Sequence, residues 1–284
     1  MSQLPPEVHQ LIDAALTEDQ VFSDPTTMSL VPPEIMGVGM IRAKAHGILA
    51  GADVALTVFQ RVDPSLDTQA LLSDGAELSP GSEIARVSGS AGSILRAERI
   101  ALNFLQRMSG IASDTQIYVQ AVHGLGACIV DTRKTAPGHR YLDKYAVRMG
   151  GGHNHRLNLA DGILIKDNHI QALRSRELGL PEVIALALSR ASHTIKVEVE
   201  VETLEEVREA VAAGAHIIML DNMPVDTMRQ AMEIVAGKAV VEASGGIDLE
   251  TVRAVAETGV DLISVGALTH SAKALDISLD LEFV

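Results

Sequence analysis

Tryptophan is absent from this 284-residue chain and aromatic residues make up only 2% of it, so the core has to be built from Ala, Val, Ile, Leu and Met. That material suits the near-continuous apolar strands of a parallel α/β sheet. Basic residues are also scarce: 23 Lys and Arg stand against 37 Asp and Glu, a net charge of −14 that repels a phosphate polymer. The acidic balance and the scarcity of aromatics mean that nucleic acid is not an expected partner. Cys128 is the only cysteine, which forbids an intrachain disulfide and a cysteine-based zinc site. Lying in the apolar run Ala127–Val130, it reads as a buried, inert thiol rather than a nucleophile. No run of 18 apolar residues occurs and the leading MSQLPPEVHQ lacks a secretory pattern, so no membrane span is expected and the cytoplasm is the expected compartment.

What is present changes texture along the chain. Residues Pro5 to Leu16 carry Val8, Leu11, Ile12 and Ala15 at helical spacing. Short strand-like runs follow at Met36–Leu49, Asp67–Leu72 and Glu83–Ser88, separated by Gly, Pro and Asp. The longest helical pattern covers Ala91 to Val122, with a break expected at Gly110 and with Arg96 and Arg107 expected on a solvated face. Residues 1–112 therefore read as an α+β, sandwich-like domain.

From there, short apolar runs at Ala127–Asp131, Gly162–Lys166, Ile195–Glu200, His216–Leu220, Ala239–Ala243 and Asp261–Val265 alternate, in the later part, with helical patterns. This is the signature of βα units. No GxGxxG opens a helix, which disfavours a dinucleotide fold. Each run ends on a charged residue, a hydroxyl or a glycine, the place where a (β/α) barrel assembles its active site. The expected fold is an incomplete (β/α) barrel of about six or seven parallel strands over 113–274. The alternating segment Ile277–Phe283 is then a last strand, 275–284 returning to the N-terminal sheet.

Against the acidic background, residues 131–170 form a basic island: Arg133, Lys134, Arg140, Lys144, Arg148, Arg156 and Lys166 outnumber Asp131, Asp143, Asp161 and Asp167. Such an island suggests a site for a strongly anionic small molecule. Arg133, Lys134 and Arg156 offer donors to carboxylate or phosphate, whereas Arg140, Lys144 and Arg148 belong on a following helix. Gly150-Gly151-Gly152 permits close backbone approach, or simply a flexible turn. His153 and His155 are poor candidates for a metal among so many cations.

Glu198, Glu200 and Glu202 share one face of their strand, and buried carboxylates are too costly to be filler. Glu200 with Asp221 suits Mg²⁺ held through water, or ribose hydroxyls. Ser244-Gly245-Gly246 and Gly266 follow the last two strands, where barrels build phosphate sites from backbone N–H groups.

The strings Asp131-Thr-Arg-Lys-Thr-Ala-Pro-Gly138, Gly150-Gly-Gly-His-Asn-His-Arg156 and Leu164-Ile-Lys-Asp-Asn-His-Ile170 resemble the quinolinate phosphoribosyltransferase family. Glu98-Arg-Ile-Ala-Leu-Asn-Phe-Leu105, Glu198-Val-Glu-Val201, Met219-Leu-Asp-Asn222, Glu242-Ala-Ser-Gly-Gly246 and Ser264-Val-Gly-Ala-Leu-Thr-His270 extend the likeness in order. The chain departs from the family at Ser23-Asp-Pro-Thr-Thr27, where a Gly-Asp turn is usual. The resemblance implies conversion of quinolinate and phosphoribosyl pyrophosphate to nicotinate mononucleotide, pyrophosphate and CO₂, with Mg²⁺ as cofactor. It implies Arg133, Arg156, His155 and Lys134 around the quinolinate carboxylates, with Arg99 reaching in from the other subunit of a homodimer that can assemble into a hexamer. Lys134, Lys166, Glu200 and Asp221 are the implied catalytic groups, the two carboxylates holding Mg²⁺. Ser244, Gly245, Gly246, Gly266 and His270 are implied around the 5′-phosphate. The rivals are a paralogue associated with molybdate transport operons, a nicotinate phosphoribosyltransferase, a Schiff-base aldolase using Lys166, and a non-catalytic phosphosugar-binding barrel.

Overall fold

The computed structural model describes residues 4–173 and 176–284. Helix α1 (Pro6–Glu18) opens with proline in its first turn, where the missing N–H costs nothing, and buries Val8, Ile12 and Leu16 one turn apart. In the divergent turn, Asp24 accepts the Thr26 N–H at 2.9 Å and so caps α2 (Pro25–Leu30). Strands β1 (Met36–Ala43) and β2 (Gly47–Ile48) precede α3 (Ala52–Val62), a helix absent from the expected elements. Then come β3 (Asp67–Ala70), β4 (Glu77–Leu78), β5 (Glu83–Ser90) and the 31-residue α4 (Ala91–Ala121).

After β6 (Cys128–Val130) and α5 (Arg140–Met149), strands and helices alternate: β7 (Ile163–Ile165), α6 (Asp167–Leu173), α7 (Leu180–Arg190), β8 (Val197–Val201), α8 (Leu204–Ala213) and β9 (Ile217–Asp221). The series continues through α9 (Val225–Val235), β10 (Val240–Ser244), α10 (Val252–Ala256), β11 (Leu262–Ser264) and α11 (Ala267–His270), and ends in β12 (Ile277–Phe283).

These elements form two compact units. One comprises Met1–Gln116, Thr135–Gly151 and Leu268–Val284; the other comprises Ile117–Lys134 and Gly152–Ala267. The segment 275–284 counts with the first unit, as expected, and the division differs from the expected bounds in adding 113–116, α5 with its flanks (Thr135–Gly151) and 268–274 to that unit.

In the first unit an antiparallel sheet runs β12-β1-β5-β3, with β1 flanked by β12 from Gly37↔Phe283 to Ala43↔Ile277. Helix α4 is not broken at Gly110. A Cβ there would lie 1.8 Å from the Lys273 carbonyl oxygen, so this glycine lets the backbone at 273 cross the helix rather than ending it. Arg107 is not a solvated surface residue. Its guanidinium grips the fully buried Asp143 of α5 through Nε–Oδ1 at 3.0 Å and Nη2–Oδ2 at 2.8 Å. Breaking such a pair costs about 3–5 kcal/mol because it strands a buried charge. Arg96, also expected in solvent, is half-buried and turns back on its own helix to the Gly92 carbonyl and Ser93 Oγ.

The second unit holds a six-stranded parallel sheet in the order β6-β11-β10-β9-β8-β7. All six strands fall on the expected apolar runs. A single parallel bridge, Val130↔His153, lays the glycine-rich segment alongside β6 as a seventh edge. Thr203 and Glu206 close a capping box at the start of α8, and Glu206 also accepts the Glu202 N–H. Glu202 is therefore exposed beyond the end of β8 and does not share the interior with Glu198 and Glu200.

Candidate active site

Side chains two apart on a strand share a face. Leu164 and Lys166, Met219 and Asp221, and Glu242 and Ser244, with Glu200, Ser264 and Thr132, all line one cavity of about 490 Å³ in the second unit. Its remaining wall is Arg133, Lys134, His155 and Arg156, and its rim includes Asn222, Gly245 and Gly246.

The cationic wall is built by Asp131. Fully buried at the end of β6, its carboxylate accepts the Asn154 Nδ2–H at 2.6 Å and the His155 backbone N–H at 2.9 Å. That clamp and the bridge at His153 hold residues 153–156 beside the strand that leads into Arg133 and Lys134. Burial and then the adjacent Arg133 guanidinium depress the Arg156 pKa, with Glu198 opposing. Two guanidiniums held this close repel one another unless an anion lies between them.

The same cavity carries the carboxylates of Glu200 and Asp221. Lys166 Nζ meets Glu200 Oε2 at 2.5 Å, and the Lys166 backbone N–H goes to His169 Nδ1 at 2.9 Å, which ties the start of α6 to the strand end. Asp221 Oδ2 accepts from Asn222 Nδ2 at 3.0 Å. At the rim, Gly245 and Gly246 have φ of +92° and +61°, a conformation that favours glycine. A Cβ on Gly245 would lie 2.3 Å from Asn222 Oδ1. Two successive glycines thus leave the backbone bare at the mouth.

Beneath the cavity lies a group that sequence reading only half found. His155 Nε2 sits 3.3 Å from Glu198 Oε2 and 3.5 Å from Glu242 Oε2. Glu198 is 5% exposed and Glu242 1%. The ring's other nitrogen, Nδ1, accepts the Arg156 N–H at 2.8 Å, so the proton of the neutral imidazole is on Nε2 and points at the carboxylates. The three residues have the spacing of a metal site, but a protonated Nε2 has no lone pair to give. Burial, and next the charge of Glu198, raise the Glu242 pKa to about 7. A second cavity of about 380 Å³ reaches the same group from the other ends of the strands, lined there by Cys128, Ile163, Ile217 and Leu262. Cys128 is consequently half-buried on a cavity wall and not the sealed core thiol expected.

Of the expected site residues, Arg133, Lys134, His155, Arg156, Lys166, Glu200, Asp221, Ser244, Gly245 and Gly246 line the one cavity. Gly266 follows β11 but is not among its lining residues, and Arg99 and His270 belong to the first unit. Arg99 is exposed in a groove between α1 and α4, beside Glu18, Asp19 and Asn103. His270 Nδ1 lies 2.6 Å from Ser271 Oγ. Glu242 is not among the expected site residues; its spacing of two from Ser244 on one strand is the signal in the sequence that places it on the same face.

Comparison with known proteins agrees with this architecture. A Bacillus subtilis protein named probable nicotinate-nucleotide pyrophosphorylase (carboxylating) is 43% identical over 275 residues, covering 97% of this chain and 93% of its own. The crystal structure of NadC from Streptococcus pyogenes superposes with a TM-score of 0.93 at 42% identity, covering all of both chains. The nicotinate-nucleotide pyrophosphorylase of Francisella tularensis gives 0.93 at 39%, covering 99% of this chain and 98% of its own. Residues 24–109 match the N-terminal domain, and residues 111–280 the C-terminal domain, of quinolinate phosphoribosyl transferase, and the chain belongs to that family.

Proposed function

We propose that this chain is a cytoplasmic quinolinate phosphoribosyltransferase, joining quinolinate to the ribose of phosphoribosyl pyrophosphate and releasing pyrophosphate and CO₂. One observation carries the reading: a single cavity has a paired-guanidinium wall, a carboxylate wall and a bare glycine rim. A dicarboxylate, a ribose bearing a leaving group and a phosphate need three such surfaces.

In this reading Arg133 and Arg156 fork onto the quinolinate carboxylates, Lys134 adds a point charge, and His155 walls the same side with its ring nitrogens engaged within the protein. Departure of pyrophosphate leaves positive charge on the ribose, which Glu200 and Asp221 face, while Lys166 neutralises the leaving group. Two carboxylates at one cavity fit Mg²⁺, which takes one or two protein carboxylates and fills its shell with water and phosphate oxygens. Bound there, the ion supplies charge to the pyrophosphate. Ser244, Gly245 and Gly246 receive the 5′-phosphate, with Gly266 as a further partner. Arg99, exposed in its groove, serves the cavity of a second subunit in a homodimer, the unit from which a hexamer can be built.

Lys166 is ion-paired rather than desolvated among apolar groups, which argues against the aldolase rival. No helix among the described residues is long and apolar enough to cross a membrane. The direct test is an assay with quinolinate and with nicotinate as alternative acceptors: pyrophosphate release is expected with quinolinate, and turnover of nicotinate alone sinks the proposal.

A further inference from the structure

Replacing a ring carboxylate by hydrogen needs a proton at the carbon that loses CO₂, and none of the roles above supplies it. We infer that Glu242 is the proton donor: buried beneath the cationic wall and facing Glu198 across the His155 N–H, it carries a carboxyl proton into the cavity and gives it to that ring carbon. The inference rests on the reading under Proposed function.

The geometry separates the two carboxylates. Glu242 lines the upper cavity, where the anion site lies, as well as the lower one; Glu198 lines only the lower. Each has one carboxylate oxygen, Oε1, that is buried without a hydrogen-bond partner. A buried unpartnered carboxylate oxygen is costly, whereas a carboxyl group that keeps its proton avoids most of that cost. His155 keeps Nδ1 engaged as the acceptor of the Arg156 N–H, and its opposing effect on Glu242 is smaller than those of burial and of Glu198. The groups facing Glu242 are Glu198 on β8, His155 and Arg156 on the bridging segment, and the Ser264 hydroxyl on β11; its register partners on β9 and β11, Met219 and Leu262, are uncharged. Burial and then the neighbouring Glu198 favour the protonated form of Glu242, the member of the pair that also opens onto the upper cavity. A carboxyl kept protonated by its surroundings at the wall of a site is suited to act as a general acid.

The bond between the ring carbon and its carboxylate breaks, CO₂ leaves, and the electron pair stays on the carbon beside the positively charged ring nitrogen. That carbon takes the proton from the Glu242 carboxyl, and the resulting carboxylate regains a proton from water through the cavity.

Glu242→Gln is the decisive variant, since it keeps the shape, the neutrality and an acceptor for His155 but has no proton to give. With full-length enzyme, quinolinate and phosphoribosyl pyrophosphate, kcat for CO₂ release is expected to fall by about 10²-fold or more with both KM values nearly unchanged. A wild-type kcat overturns the inference. Glu198→Gln guards against a folding artefact: it leaves the donor but removes the charge that holds its proton. Its kcat is expected to survive at pH 6, with the fall at alkaline pH beginning at lower pH than in wild type. An unmoved alkaline limb overturns the inference while leaving the proposed function standing; a wild-type enzyme that does not turn over quinolinate overturns both.

Discussion

Lys166 and Glu200 meet across adjacent strands, Nζ to Oε2 at 2.5 Å, so the cation assigned to the leaving pyrophosphate is held by a carboxylate assigned to the ribose. The two act as one unit. Lys166→Met and Glu200→Gln should each lower kcat by about 10²–10³-fold, in the range of lost transition-state electrostatics. The double variant should lose far less than the product of the two, because residues in contact are not additive. Single-turnover rates of pyrophosphate release measure the cycle, and strict additivity would show that the pair is incidental.

The paired guanidiniums make a different prediction. Burial and then the Arg133 charge disfavour the Arg156 cation until a dianion arrives. Arg156→Ala should raise the quinolinate KM by roughly 10–100-fold, the worth of charge-assisted hydrogen bonds, and leave that for phosphoribosyl pyrophosphate nearly unchanged. Arg156→Lys should recover only part of the loss, since an ammonium cannot fork onto a carboxylate. Equal effects on both substrates would contradict the assignment.

Arg99 supplies a test of the proposed shared site. Chains carrying Arg99→Ala and chains carrying Lys166→Met are each expected to be nearly inactive. If Arg99 works on a second subunit, heterodimers contain one site with both residues intact, and mixing should restore up to about half the wild-type activity of each such dimer. No recovery, under subunit exchange verified by tagged chains, would place Arg99 in its own subunit's chemistry or outside it.

Stability should carry the signature of Glu242. Its folded pKa, about 7, lies above the ordinary value of 4.5, so the folded state binds the proton more tightly than the unfolded chain. The contribution of this group to stability is therefore fully present below the unfolded value and is lost as the pH rises through about 7. Glu242→Gln removes that decline. Its melting temperature should exceed that of wild type at pH 8, and the difference should shrink at pH 5. A gap that does not depend on pH would mean that the carboxyl is ionised throughout.

Most of the second unit was legible because its strands are short apolar runs closed by polar residues, and period two then aims Lys166, Glu200, Asp221 and Ser244 into one space. What escaped was long-range. Nothing local in the sequence joins Arg107 to Asp143, and a glycine inside a helix reads as a breaker until the crossing backbone at Lys273 is seen. Helix α3, which buries Val54, Val58, Phe59 and Val62, is masked in the sequence by the glycine, proline and aspartate that punctuate the segments around it. The Glu198–Glu242 pair lay within quoted motifs, yet its meaning depends on His155 arriving between the two from another segment.

The pairing of β1 with β12 has a consequence for synthesis. During translation β1, β3 and β5 leave the ribosome long before β12 does, and until then the outer edge of β1 offers unpaired N–H and C=O groups. The parallel sheet, whose six strands are all made before β12, can form first. The first-begun unit is thus the last finished, and a nascent chain stalled before Ile277 would present an open, pairable strand to its neighbours on the same message.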